Sequence, residues 1–76
     1  MLTEKIAKKI KEAKKNKKKI AMFHFQSLIH VDEFNEVDPT QFCRDVGMRD
    51  SFATEFRKMK KLSEIIKEEG YVLIKK

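Results

Sequence analysis

One cysteine, one proline and two glycines are all that this 76-residue chain contains of those residues, and each scarcity closes off a class of protein. A lone cysteine, Cys43, forms no internal disulfide, which excludes a disulfide-stapled scaffold. No secretory h-region and no apolar run of membrane-spanning length is present, so the expectation is a soluble, cytoplasmic chain with no membrane partner. There is no Gly-rich phosphate loop, no cluster of metal ligands and no placeable Ser-His-Asp arrangement. The chain is accordingly expected to be no enzyme and to hold no cofactor or metal. The proline and both glycines fall at helix boundaries, and no repeat or linker divides the chain, which reads as one domain, 1–76. A domain this small buries only about two-thirds of its unfolded surface, and homodimerisation is an ordinary remedy.

What the chain does have is charge and apolar bulk. It is 41% hydrophobic with six Phe, yet 39% charged, a globular rather than a disordered composition. The net charge of +6 is unevenly spread. Residues 1–19 carry nine Lys against two Glu, residues 20–40 four acids and no Lys or Arg, and residues 41–76 nine basic against six acidic side chains. Two basic segments flanking an acidic one form a footprint for a polyanion.

The densest local signals lie in residues 38–61. Asp38 is a good N-cap, Pro39 suits the first helical position, and Gln41 is placed to reach back in a capping box. Phe42 and Val46 share a face beside the small Cys43, and Gly47 sits where a left-handed residue would end the helix. Such a short helix needs packing to persist. A second helix follows, with Asp50 as its expected cap and Phe52, Phe56, Met59, Leu62 and Ile66 in one apolar stripe. Opposite that stripe lie Thr54, Arg57, Lys58 and Lys61, a basic front to an apolar back.

Phe42, Cys43, Val46, Gly47, Met48, Ala53 and Phe56 stand at the small, apolar and glycine positions of the bacterial helix-turn-helix, which this stretch resembles. Phe52 departs from that pattern, at a place usually polar and outward-facing, and is read as extra core, with an aromatic at the interface as the alternative. A looser likeness, over residues 19–66, is to short prokaryotic HTH-like proteins that couple an aromatic-rich run like residues 22–34 to a segment like SFATEFRKMKKL. What the resemblance implies is binding of double-stranded DNA by the second helix, starting near Asp50, in the major groove. On that basis Arg49, Ser51, Thr54, Glu55 and Lys58 occupy the base-reading positions. Arg57, Lys60, Lys61 and the Lys-rich N-terminal segment are candidates for phosphate contacts. The implied role is a small transcriptional regulator or mobile-element accessory protein. The alternative is a non-enzymatic protein-interaction module on the same scaffold, docking on an acidic partner.

The remaining segments supply the scaffold. Residues 2–15 read as an amphipathic helix with Thr3 as candidate N-cap and Leu2, Ile6, Ile10 and Ala13 as a narrow apolar stripe. Its lysines are either a solvated face or a basic arm that tracks phosphate; the thin stripe without aromatics argues against a membrane-surface helix. Residues 16–19 are a break or a fraying end, since like charges repel at helical spacing. Residues 18–34 are read as a core helix, since no Gly or Pro interrupts them, with a strand at residues 19–25 as the alternative. His24 and His30, six apart, do not share a helix face and are read as structural. Asp32, Glu33, Glu36 and Asp38 are explained by a helix end and a capped loop. Gly70 closes the long helix, and residues 71–75, with the run YVLI, suit a strand that pairs with residues 19–25 or with a second copy, or else a plain extended tail. The expected fold is thus mainly all-α. It is a helix-turn-helix domain of three to four helices with a short C-terminal β-strand, winged-helix-like, and a homodimer through that strand is the candidate assembly.

Overall fold

In the computed structural model, which describes residues 2–75, four helices fold around a cluster of phenylalanines. They are α1 (Leu2–Lys15), α2 (Lys19–Ile29), α3 (Pro39–Asp45) and α4 (Ala53–Glu68), with a 3-10 turn (Asp50–Phe52) leading into α4. Helix α2 packs against both α1 and α4, while α3 packs against α4, the 3-10 turn and α1. The centre is Phe42, fully buried. Its ring centroid lies 4.7 Å from those of Phe34 and Phe56 and 6.1 Å from that of Phe23. Phe52 closes on the same cluster, edge-on to Phe23 at 5.7 Å, so the departure from the helix-turn-helix pattern serves packing. Ile6 and Ile10 bring α1 onto this core.

Each helix boundary has a local cause. The Asp38 carboxylate accepts the Gln41 backbone N–H at 3.3 Å and caps α3, with Pro39 at the first position as expected. The reciprocal half of the capping box does not form, because the Gln41 side chain bonds forward to Asp45 at 2.8 Å. Three helices end in one manner, on a residue with positive φ that, with the residue after it, returns two N–H groups to the last turn: Lys17 after α1, Gly47 after α3 and Gly70 after α4. Thr3 lies inside the first turn of α1 rather than capping it.

Three expectations give way. The core helix stops at Ile29, and residues 30–36 form successive turns held by bonds from Glu33 and Phe34 N–H to the His30 carbonyl. Those turns fold Phe34 back onto Phe42, and packing thereby overrides a stretch that contains no helix breaker. The strand alternative at residues 19–25 is excluded: they are helical, with Phe23 buried while Ile20 and Phe25 are each 51% exposed. Neither is there a C-terminal strand or wing; no strand occurs among the described residues, and residues 71–75 run on as an irregular, exposed tail. Tyr71 spends its N–H on the Ile66 carbonyl in closing α4, and no other strand exists for the tail to pair with among the described residues. The expected homodimer through that strand loses its basis with it.

On α4 the buried row is Ala53, Phe56 and Ser63, with Met59, Lys60 and Ile66 half-buried. Leu62, placed by periodicity in the stripe, is 39% exposed, while its neighbour Ser63 is buried. In α2 the Ser27 hydroxyl is fully buried and has no hydrogen-bond partner among the described residues.

Candidate nucleic-acid interface

The corner between α3 and α4 sets the geometry of the polar surface. Gly47, at φ +80°, returns its N–H to the Arg44 carbonyl at 3.2 Å, and Met48 returns its own to the Cys43 carbonyl at 2.7 Å. Cys43 and Met48 are both buried, so the backbone closure and an apolar contact are made by the same two residues. The chain therefore does not run as one rod from Phe42 to Met59 but turns between two separate helices.

A second tie spans the corner outside. The Arg44 guanidinium donates from Nε (3.0 Å) and Nη2 (2.8 Å) to the two oxygens of Asp50, a bidentate pair linking α3 to the turn that opens α4. Asp50 is consequently not the cap of α4; its carboxylate is committed to Arg44, whose hydrogen bond and charge hold it below the ordinary carboxylate range. This clamp was not read from the sequence. Its signal was an Arg and an Asp on either side of a glycine corner, too common a pattern to single out.

Thr54, Arg57, Lys58 and Lys61 occur at spacings of three and four on α4 and are all exposed, so they make one outward face. Arg49 and Ser51 are exposed just before it, on the corner and the 3-10 turn. Arg49, Arg57 and Lys61 make no hydrogen bond or ion pair among the described residues, which leaves three guanidinium and ammonium groups to solvent.

Glu55 stands apart from this group. It is half-buried, with Oε2 2.9 Å from Lys58 Nζ and Oε1 3.1 Å from His24 Nε2. The hydrogen bonds from Lys58 and then His24 hold its carboxyl below the ordinary range. Its oxygens face α2 and its own helix, so in this structure it serves as an internal counter-ion to Lys58. Lys60 is also spent within the fold, donating to the Asn35 carbonyl at 3.2 Å, and Lys67 pairs with Asp32 at 2.9 Å. These two lysines fasten α4 to the turns at residues 30–36. His30 pairs with Glu33 at 3.2 Å, so the two histidines have separate acidic partners. Cys43 lies in the core, where burial raises its thiol pKa, followed by the Asp50 charge.

A short helix, a glycine corner with buried flanking side chains, and a longer helix with an exposed basic face together define a helix-turn-helix domain. The chain belongs to the HTH-like domain family, whose model matches residues 1–69. No characterised protein and no solved structure matches the chain. Among the described residues, no helix is long and apolar enough to cross a membrane.

Proposed function

We propose that this protein binds double-stranded DNA through α4 and the corner before it, as a small regulator or a mobile-element accessory protein. The observation that carries the reading is the exposed face of Thr54, Arg57, Lys58 and Lys61, with Arg49 and Ser51 exposed just before it, on a helix whose Ala53 and Phe56 lie in the core. In helix-turn-helix proteins the second helix enters the major groove with its N-terminal residues nearest the base edges. Arg49, Ser51, Thr54 and Lys58 then read bases, Arg49 being suited to a bidentate contact with guanine. Arg57 and Lys61 neutralise phosphates, and Glu55 holds Lys58 in place until DNA competes for it. The exposed lysines of α1, among them Lys8, Lys11 and Lys15, add a sequence-independent attraction.

The test is fluorescence anisotropy on a random duplex and on a selected duplex at several salt concentrations. If three or more phosphates are neutralised, the log–log slope is about −3 or steeper. Arg49→Ala is expected to relax the preference at one base pair by about 1–3 kcal/mol, whereas Lys61→Ala weakens all duplexes alike. Absence of binding to any duplex at low salt would reject the reading. Equal losses on selected and random DNA in both variants would reject the division of labour.

A further inference from the structure

The charged surfaces just described leave unexplained a trough elsewhere on the molecule. A groove of about 850 Å³ lies between α1, the C-terminal half of α2, the end of α4 and the tail at residues 71–75. None of Arg49, Ser51, Thr54, Arg57, Lys58 or Lys61 lines it. Phe25, Ile29 and Ile66 supply its apolar surface, with Phe25 51% and Ile29 38% exposed. The tail adds Tyr71, Val72, Leu73 and Ile74 as a wall, all more than half exposed. Exposed apolar side chains gathered along one groove, on a chain that is 39% charged, make it a candidate interaction site.

The charges around the groove select its occupant. Lys5 and Lys9 border it on α1 and Lys75 on the tail, while Lys67 and the one carboxylate among the lining residues, Asp32, pair with each other at 2.9 Å and cancel. Docking a second copy here would bring one cationic rim against another, in a protein of net charge +6. A small apolar ligand would remain largely wet, since ligand sites enclose most of their occupant. A helix with an apolar stripe and acidic flanks meets both demands, laying its stripe on Phe25, Ile29 and Ile66 and its carboxylates toward the lysines. We infer that this groove docks an acidic amphipathic helix of another protein, so that the domain carries a protein-binding surface separate from its basic α4 face.

The test uses a fluorescein-labelled, acetylated peptide of about 16 residues, long enough to form a helix when bound, with Leu at helical spacing and Glu between. A peptide of the same composition in scrambled order is the control. The expected result is binding at least tenfold tighter for the patterned peptide. Phe25→Glu and Lys9→Glu, both at exposed positions, are each expected to weaken it at least tenfold, with the circular dichroism spectrum unchanged. Arg57→Ala, on the other surface, leaves peptide binding within twofold. Equal affinity for the two peptides, or indifference to both groove variants, overturns the proposal. So does a wild-type dimer in sedimentation that Phe25→Glu returns to monomer, since the occupant would then be a second copy. Duplex binding by Phe25→Glu is read in parallel and reports separately on the α4 face.

Discussion

Two corners of this molecule close by the same hydrogen bonds and are built from different residues. After α3, Gly47 takes φ +80°, and the Gly47 and Met48 N–H groups return to the carbonyls of Arg44 and Cys43. After α1, Lys17 takes φ +58°, and the Lys17 and Lys18 N–H groups return to Lys14 and Ala13. The first corner seals into the core through Cys43 and Met48, whereas the second places Lys17 and Lys18 in solvent. At the corner that positions the candidate interface, packing and backbone preference agree. At the other, a lysine is held in a region that costs L residues roughly 1–2 kcal/mol, and a cation is retained in the most basic segment of the chain.

The comparison breaks most visibly if the packing beneath the first corner is removed. Phe42 has ring neighbours in Phe23, Phe34 and Phe56, and its backbone accepts the Val46 N–H just before Gly47. Phe42→Ala is expected to destabilise by about 3–5 kcal/mol. Single cores of this size supply little more than that, so the variant should be largely unfolded in circular dichroism at room temperature. A melting midpoint within a few degrees of wild type would show that hydrogen bonds, and not the aromatic cluster, fix the corner.

Exchanging the left-handed residues sharpens the comparison. A Cβ at Gly47 meets nothing within 4 Å, so Gly47→Ala carries a purely backbone penalty, expected at about 1–2 kcal/mol. Lys17→Gly is expected to act in the opposite direction, stabilising by about 0.5–1 kcal/mol, because relief of the left-handed strain exceeds the added unfolded-chain entropy. Urea midpoints for the two variants should fall on opposite sides of wild type. A loss of stability in Lys17→Gly would mean that the lysine side chain makes a contribution its exposure does not suggest.

The contrast between corners also explains what the sequence discloses. Asp38-Pro39 and Gly47 act on neighbouring backbone, so the start, end and handedness of α3 were legible, as was the row Phe42, Cys43, Val46, Met48, Ala53 and Phe56 that became core. The end of α2 was not legible. It is set by a contact between residues eight apart, Phe34 and Phe42, and nothing local between residues 30 and 36 announces it. The tail stays irregular because Tyr, Val, Leu and Ile favour a strand only where a partner strand exists. The exposed basic face followed from spacing alone, while the inward role of Glu55 depended on His24, 31 residues away. Leu62 failed for a related reason, since periodicity gives a stripe but not the row over which the neighbouring helix lies.

The smallest expected effect comes from the outer clamp of the first corner, which the second corner lacks. Arg44 holds the Asp50 carboxyl below the ordinary range, so the unfolded chain binds the Asp50 proton at a higher pH than the folded chain does. The stability contributed by this pair is therefore complete above the ordinary Asp pKa of about 4 and is lost as pH falls through the lower folded value. Glu55, depressed by Lys58 and His24, shifts in the same direction. Melting midpoints followed from about pH 6 to pH 2.5, across and below the ordinary carboxylate range, are expected to decline in wild type. They should decline less steeply in Asp50→Asn, which loses the charge-assisted pair at every pH. Because both partners are solvent-exposed the difference is small, and it should shrink further in high salt. Parallel curves for the two proteins would show that the clamp adds nothing to folding. Its effect would then be sought in the DNA affinity of Arg44→Gln, where a loosened turn before α4 would misplace Arg49 and Ser51.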